Sequence, residues 1–304
     1  MISPLDILTS DLLRYPLIIA VLIGLTAPVV GTYLVQKRLS LLGDGLGHVA
    51  LTGVAVGWLV GAWVTATPAD LLAIPGALAA SVLAALAIEY VREVSHTSRD
   101  VALAIMFYGG IAGGVVIIQL AGGTSQNLMG YLFGSLSTVT APDLVIALVL
   151  AVVVLGIGIG LSGLLAAVTG DEEFARASGL PVRTVNVLIA VMAALTVTLS
   201  MRIVGALMVS ALMIVPVAAA QQLVVGFTRT MRTAMVIAVV CSLGGLLVTV
   251  YVDLPPGGVI VLATIAVYVL ALLSRPLLQR RAVRTDQVAE STRAPAGETT
   301  LRVR

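Results

Sequence analysis

Two residues whose types and spacing could hold a metal ion stand in the stretch Lys37–Gly61, KRLSLLGDGLGHVALTGVAVGWLVG: Asp44 and His48. Four positions apart, they share one face of a helix, with side chains close enough to grip a single ion. An ionisable group inside a membrane costs roughly 3 kcal/mol or more unless it is paired or faces a polar path. A carboxylate oxygen with an imidazole nitrogen suits zinc, manganese or ferrous iron better than an alkali ion. The spacing equally admits a solvated Asp44 at the membrane rim beside Arg38, with His48 hydrogen-bonded to a neighbouring helix, and spacing alone leaves both readings open. One Asp and one His under-fill a four-ligand site, so waters, other residues or a second copy of the chain would have to complete it. Gly43, Gly45 and Gly47 interleave with the pair, and Gly53, Gly57 and Gly61 recur every fourth residue, which opens this backbone to close approach by other helices.

Other chemically able side chains read as structural. His96 lies in the polar loop Arg92–Asp100 and reads as a solvated histidine. Met201, Met208 and Met213 have apolar neighbours at helical spacing and read as packing residues rather than a copper path. Arg202, at a turn between two apolar runs, reads as an interfacial anchor. Cys241 is the only cysteine, so the chain forms no internal disulfide, and its apolar setting marks it as a small buried hydrophobe.

The elements that must position Asp44 and His48 are set by composition. Of 304 residues, 59% are hydrophobic and only 11% charged, and the mean hydropathy is +1.11; soluble domains carry about a quarter charged residues. Lipid is the solvent for most of this chain. With roughly 20 apolar residues needed per crossing, spans are expected at Tyr15–Val35, Gly45–Val64, Leu71–Val91, Val101–Ala121, Leu144–Val168, Val185–Met201, Ile203–Leu223, Ala234–Val252 and Gly257–Leu273. The fold class is therefore an all-α polytopic transmembrane bundle of about nine spans, eight to ten being compatible. Asn127–Leu136, bounded by Gly122-Gly123 and Pro142, is too short to cross and suits a half-helix buried within protein.

The net charge of +2 matters less than its distribution. Nine crossings put Lys37, Arg38, Arg92, Arg99, Arg176, Arg183, Arg229, Arg232, Arg275, Arg280, Arg281 and Arg284 on one side and leave Arg14 and Arg202 opposite, which makes the basic side the cytoplasm. The basic residues thus set orientation and do not form a nucleic-acid surface. Met1–Asp11 holds two acids and no base, unlike the start of a secretory signal. Residues 1–13 read as a short extramembrane lead-in, 14–279 as the membrane domain, and 280–304, where the apolar pattern ends, as a disordered cytoplasmic tail with the C-terminus inside.

Several motifs together resemble the permeases of zinc and manganese ABC importers. In that family the second span looks like a basic pair, then Ser, then Gly-Asp-Ala-x-Ser-His and Pro-Gly. Here the run is Lys37-Arg38-Leu39-Ser40, Gly43-Asp44-Gly45-Leu46-Gly47-His48 and Thr52-Gly53, with Gly45 for Ala, Gly47 for Ser and Thr52 for Pro. Three further stretches look like family signatures: Gly130-Tyr131-Leu132-Phe133-Gly134-Ser135, the run Val204 to Pro216, and Asp253-Leu254-Pro255-Pro256-Gly257-Gly258. The resemblance spans Tyr15 to Leu273 and implies that Asp44 and His48 contribute to an intramembrane metal site where two permease subunits meet.

Lys37 is the only lysine and follows no glycine-rich loop, so this polypeptide lacks the phosphate-cradling motif of an ATPase. The resemblance supplies the missing part as a separate cytoplasmic ATP-binding-cassette ATPase. The loop Thr169–Arg183, TGDEEFARASGLPVR, carries Asp171 and Glu172 where they favour a helix N-terminus, and Gly179-Leu180-Pro181 where they stop it. It is similar to the coupling helix of bacterial ABC permeases, with Glu173, Ala175 and Gly179 at the acidic, small and glycine positions. The expected protein is a non-enzymatic, multi-pass permease of a bacterial plasma (inner) membrane. It holds no permanent cofactor, moves Zn2+ or Mn2+ while ATP binds the partner, pairs with an identical or related permease and receives its ion from an extracytoplasmic metal-binding protein. The rivals are a permease for a metal chelate or vitamin, an intramembrane metal-dependent enzyme using Asp44 and His48, and a proton-coupled secondary transporter.

Overall fold

The computed structural model describes residues 11–64, 72–94, 99–121, 125–135, 139–201, 203–206, 208–252 and 254–293. Among them the secondary structure is helical: α1 (Asp11–Gln36), α2 (Leu42–Val64), α3 (Ala73–Val94), α4 (Arg99–Leu120), α5 (Ser125–Phe133), α6 (Ala141–Gly160), α7 (Ser162–Gly170), α8 (Glu172–Ala177), α9 (Val182–Ser200), α10 (Val209–Leu223), α11 (Phe227–Tyr251) and α12 (Pro256–Arg293). Eight of these, α1 to α4, α6, α9, α11 and α12, contain stretches long and apolar enough to cross a membrane, and the shorter α10 occupies the place of the remaining expected span. A polytopic bundle of about nine spans is what the composition requires. His96, Arg202 and Asp253 lie outside the described residues.

Helices α1, α2 and α9 form the centre: 72%, 67% and 67% of their apolar windows are buried, against 22% for α3 and α4. The outer helices turn apolar side chains such as Leu83, Ile105, Val152, Val236 and Leu262 outward, as a surface bathed in lipid tails allows. Where α3 packs on the central α2, contact is close because the residues are small. A Cβ on Gly53 would lie 2.4 Å from the Gly76 carbonyl oxygen of α3, and one on Gly57 would lie 2.2 Å from that of Leu72. Van der Waals contact at such glycine faces drives helix association where the hydrophobic effect cannot. Hydroxyls add specific ties: Ser81 of α3 bonds Thr198 of α9 at 3.1 Å, and Tyr33 of α1 donates to the Gly158 carbonyl of α6.

The structure revises the boundaries of two expected spans. The expected span Leu144–Val168 is two helices, α6 and α7, which meet at Leu161 (φ −99°, ψ 18°) amid Gly156, Gly158, Gly160 and Gly163, residues of low helix propensity. The expected span Ile203–Leu223 becomes helical only at Val209. In the preceding segment Gly205 is left-handed at φ 86°, and the Ala206 N–H donates to the Tyr131 carbonyl of α5 at 2.9 Å. α12 continues as helix from the last apolar span through Arg293; Arg280–Arg293 contains neither Gly nor Pro to stop it.

The segment that replaces the first turns of the expected span is held on three sides. A Cβ on Gly134, itself left-handed at φ 79°, would lie 1.9 Å from the Ile203 carbonyl oxygen. One on Gly205 would lie 2.2 Å from the Leu132 carbonyl oxygen, and one on Gly257, in the first turn of α12, 1.9 Å from that of Val204. Three signature stretches far apart in sequence thus meet in one glycine-lined knot. Ile203, Val204 and Ala206 are buried there, and irregular backbone at membrane depth requires such enclosure.

Candidate metal site and coupling helix

α1 ends in a Schellman turn: the Leu39 N–H reaches the Leu34 carbonyl at 2.9 Å and the Arg38 N–H that of Val35 at 3.1 Å. Arg38 takes the left-handed position at φ 58°, where glycine is usual. The Leu42 N–H bonds the Leu39 carbonyl at 3.0 Å and α2 starts at once, which puts Asp44 in its first turn and His48 one turn deeper.

Each glycine around the pair is approached by a different element. A Cβ on Gly43 would lie 2.5 Å from Met213 Cε of α10, one on Gly45 2.5 Å from Met106 Cε of α4, and one on Gly47 2.6 Å from the Ala206 carbonyl oxygen of the knot. α4 returns the fit: a Cβ on Gly110 would stand 2.7 Å from the His48 carbonyl carbon. Thr52, at the position where the related motif has Pro, donates its hydroxyl to the Gly110 carbonyl at 2.7 Å and so pins α2 to α4. The smaller residues at 45 and 47 therefore go with closer neighbours, and α2 stays helical through them.

Asp44 is half-buried, and its Oδ1 accepts a hydrogen bond from the Ser210 hydroxyl in the first turn of α10. His48 is 5% exposed. Its ring meets Phe107 edge-on, with centroids 4.3 Å apart, and its Nδ1 is buried with no hydrogen-bond partner. Buried polar atoms are nearly always bonded, so an unbonded one marks a place where a ligand, water or ion belongs. No group of three or more His, Cys, Asp or Glu side chains able to hold a metal occurs among the described residues, which leaves the pair under-coordinated within one chain. Ser210 and Phe107 had no assigned role in the sequence reading. Ser210 was detectable as a polar residue inside an apolar signature run, whereas Phe107 looks like any core aromatic.

The polar loop forms the six-residue helix α8. Asp171 caps it by accepting from the Phe174 N–H at 2.9 Å. A second Schellman turn closes it, with the Leu180 N–H on the Ala175 carbonyl at 3.0 Å and the Gly179 N–H on that of Arg176 at 3.1 Å; Gly179 takes the left-handed position at φ 77°. Ala175 is 1% exposed and packs into the core, whereas Phe174 is 70% exposed and Glu173 points outward. Glu172, read from sequence only as a helix-start residue, turns back to the bundle.

A helical bundle of membrane-crossing length, with an ionisable pair within it and a polar helix at one end, has the makings of an integral membrane transport protein. The chain belongs to the ABC 3 transport family, whose model matches residues 9–275. Among curated relatives it is 30% identical to the manganese transport system membrane protein MntC of Halalkalibacterium halodurans, over 89% of this chain and 90% of that one. It is 28% identical to the high-affinity zinc uptake system membrane protein ZnuB of Haemophilus influenzae, over 84% and 94%. Among solved structures, PsaBC from Streptococcus pneumoniae in complex with Fab superposes with a TM-score of 0.77 at 26% identity, covering 88% of this chain and 93% of that one.

Proposed function

We propose that this chain is the permease subunit of an ABC importer and passes Mn2+ or Zn2+ across the membrane by way of Asp44 and His48. The observation that carries the reading is the unbonded Nδ1 of His48, buried one helical turn from a carboxylate. Nδ1 of a neutral imidazole and an oxygen of Asp44 supply a nitrogen and an oxygen donor, a set that borderline divalent ions accept. Since no third acid, cysteine or histidine joins the pair among the described residues, a second permease copy, waters or carbonyl oxygens would fill the remaining positions. The relatives named for manganese and zinc transport support this cargo class.

The orientation follows from charge: α8 and the basic residues around it face the cytoplasm. There Glu173, Ala175 and Gly179 serve a docking helix for a separate ATPase. Glu173 and Phe174 stand toward the partner, Ala175 seats the helix on the bundle, and Gly179 turns the chain sharply enough to leave α8 protruding. Closure of the ATPase pair pushes α8 and rocks the bundle from outward-open to inward-open, and an extracytoplasmic binding protein delivers the ion. ATP binds the partner, and this chain retains no cofactor.

The test is the elemental content of chelator-starved cells that lack the native protein and carry this chain, or its His48→Ala variant, with its ATPase. One metal should rise with the unmodified chain and fall to the empty-vector level with the variant at equal membrane abundance. If no metal responds to the unmodified complex, the cargo is a chelate or another solute.

A further inference from the structure

The end of the bundle that carries α8 holds a cluster of charges beyond those the docking role uses. At its centre the Glu172 carboxylate lies 3.7 Å from Lys37 Nζ, 3.5 Å from Arg92 of α3 and 3.4 Å from Arg176 of its own helix, and it accepts from Asn186 Nδ2 of α9 at 3.3 Å. Lys37 in turn donates to Asn186 Oδ1, and Arg92 pairs with Glu89 at 3.2 Å. The Lys37 and Arg92 side chains are only 6% and 16% exposed, whereas Arg176 is 73% exposed. The first two pairs therefore sit where screening is weak, and the third is a surface pair of little worth.

What these partners attach to gives the cluster its meaning. Lys37 follows α1 directly and lies within the Schellman turn that leads into α2, seven positions before Asp44. Arg92 stands in the last turn of α3, and α3 is locked to α2 through Gly53 and Gly57. A displacement of α8 reaches Lys37 and Arg92 through one carboxylate, and both lead to the helix that bears the metal pair. By contrast, α8 packs its backbone against its chain neighbours α7 and α9.

We propose that Glu172 is the positioning residue that transmits ATPase-driven motion of α8 to the α2–α3 pair, so that it sets how much metal is moved per ATP and contributes to neither metal binding nor ATP hydrolysis. The inference rests on the permease reading above. It predicts a specific defect. A neutral side chain at 172 leaves α8 capped by Asp171 and seated by Ala175, and leaves Lys37 its acceptor on Asn186. The helix still folds and docks, but its tie to Lys37 and Arg92 goes slack.

The test uses the complete complex, two copies of the permease with their ATPase, in proteoliposomes with the binding protein outside. Radioactive Mn2+ and Zn2+ are each assayed alongside released phosphate for the unmodified chain, Glu172→Gln and Glu172→Asp. Glu172→Gln should assemble normally and hydrolyse ATP at the unmodified rate within about twofold, while the metal moved per ATP drops by about tenfold, the scale of changes along coupling networks. Glu172→Asp, which keeps the charge, should recover part of the ratio. An unchanged ratio, a proportional fall in transport and hydrolysis, or loss of the assembled complex would each show a structural residue and overturn the inference. If the unmodified complex transports neither ion, the metal reading fails and takes this inference with it; transport with an unchanged ratio removes the inference alone.

Discussion

Ser210 holds the carboxylate of Asp44, a contact that orients one side chain of the candidate site. Hydrogen bonds to charged groups contribute about 1.5–3 kcal/mol, so Ser210→Ala should weaken the apparent affinity for Mn2+ or Zn2+ in uptake by about tenfold. The maximal rate and the amount of protein in the membrane should change little, and Ser210→Thr should retain most of the affinity. Half-saturation measured in cells under chelator checks this. At this scale the sequence was legible where chemistry is rare. An Asp and a His within an apolar run stand out because each is costly there. Ser210, Phe107 and Glu172 did not, since serine, phenylalanine and a loop glutamate are ordinary until the fold shows what they touch. The shared face of Asp44 and His48 followed from helical spacing, but the unbonded Nδ1 depends on what packs around it.

Elements were legible to the extent that apolar length specifies them. Each expected span has a helical counterpart, because lipid requires a continuous internally bonded run. The half-helix expected at Asn127–Leu136 is α5, and the short surface helix is α8. The sequence misled where tertiary contacts replaced helical hydrogen bonds. Nothing near Ala206 except Gly205 signals that the Ala206 N–H looks to α5. The knot gives a sharp contrast between two glycines of one motif. Gly134→Ala must place a methyl group 1.9 Å from the Ile203 carbonyl oxygen at φ 79°, and should cost at least about 2 kcal/mol. Gly130→Ala meets nothing within 4 Å inside a helix, and should be neutral or stabilising by about 0.5 kcal/mol. Thermal unfolding of the two purified variants, followed by loss of the monodisperse peak in detergent, should separate them by several degrees.

For the whole molecule, the proposed orientation puts the basic end in the cytoplasm, and exposed α8 provides a handle on it. In a Cys241→Ser background, Phe174→Cys should react with a membrane-impermeant maleimide in inside-out vesicles and not in intact spheroplasts. Reaction from the outside would invert the topology and with it the proposed direction of coupling. In the unmodified chain Cys241, 5% exposed, should stay unlabelled while the protein is folded and react only after denaturation, which makes that chain a separate control for folding. The knot bears also on the order in which the chain is made. Its walls come from α5, from the segment before α10 and from Gly257 at the start of α12, and synthesis delivers them in that order. Until the last helix has entered the membrane, the Val204 carbonyl lacks its close neighbour, and irregular backbone lies open on one side to lipid. Ribosomes must therefore make α12 before the knot can close, and a chain stalled ahead of Pro256 would present a defect that membrane quality control could recognise and degrade.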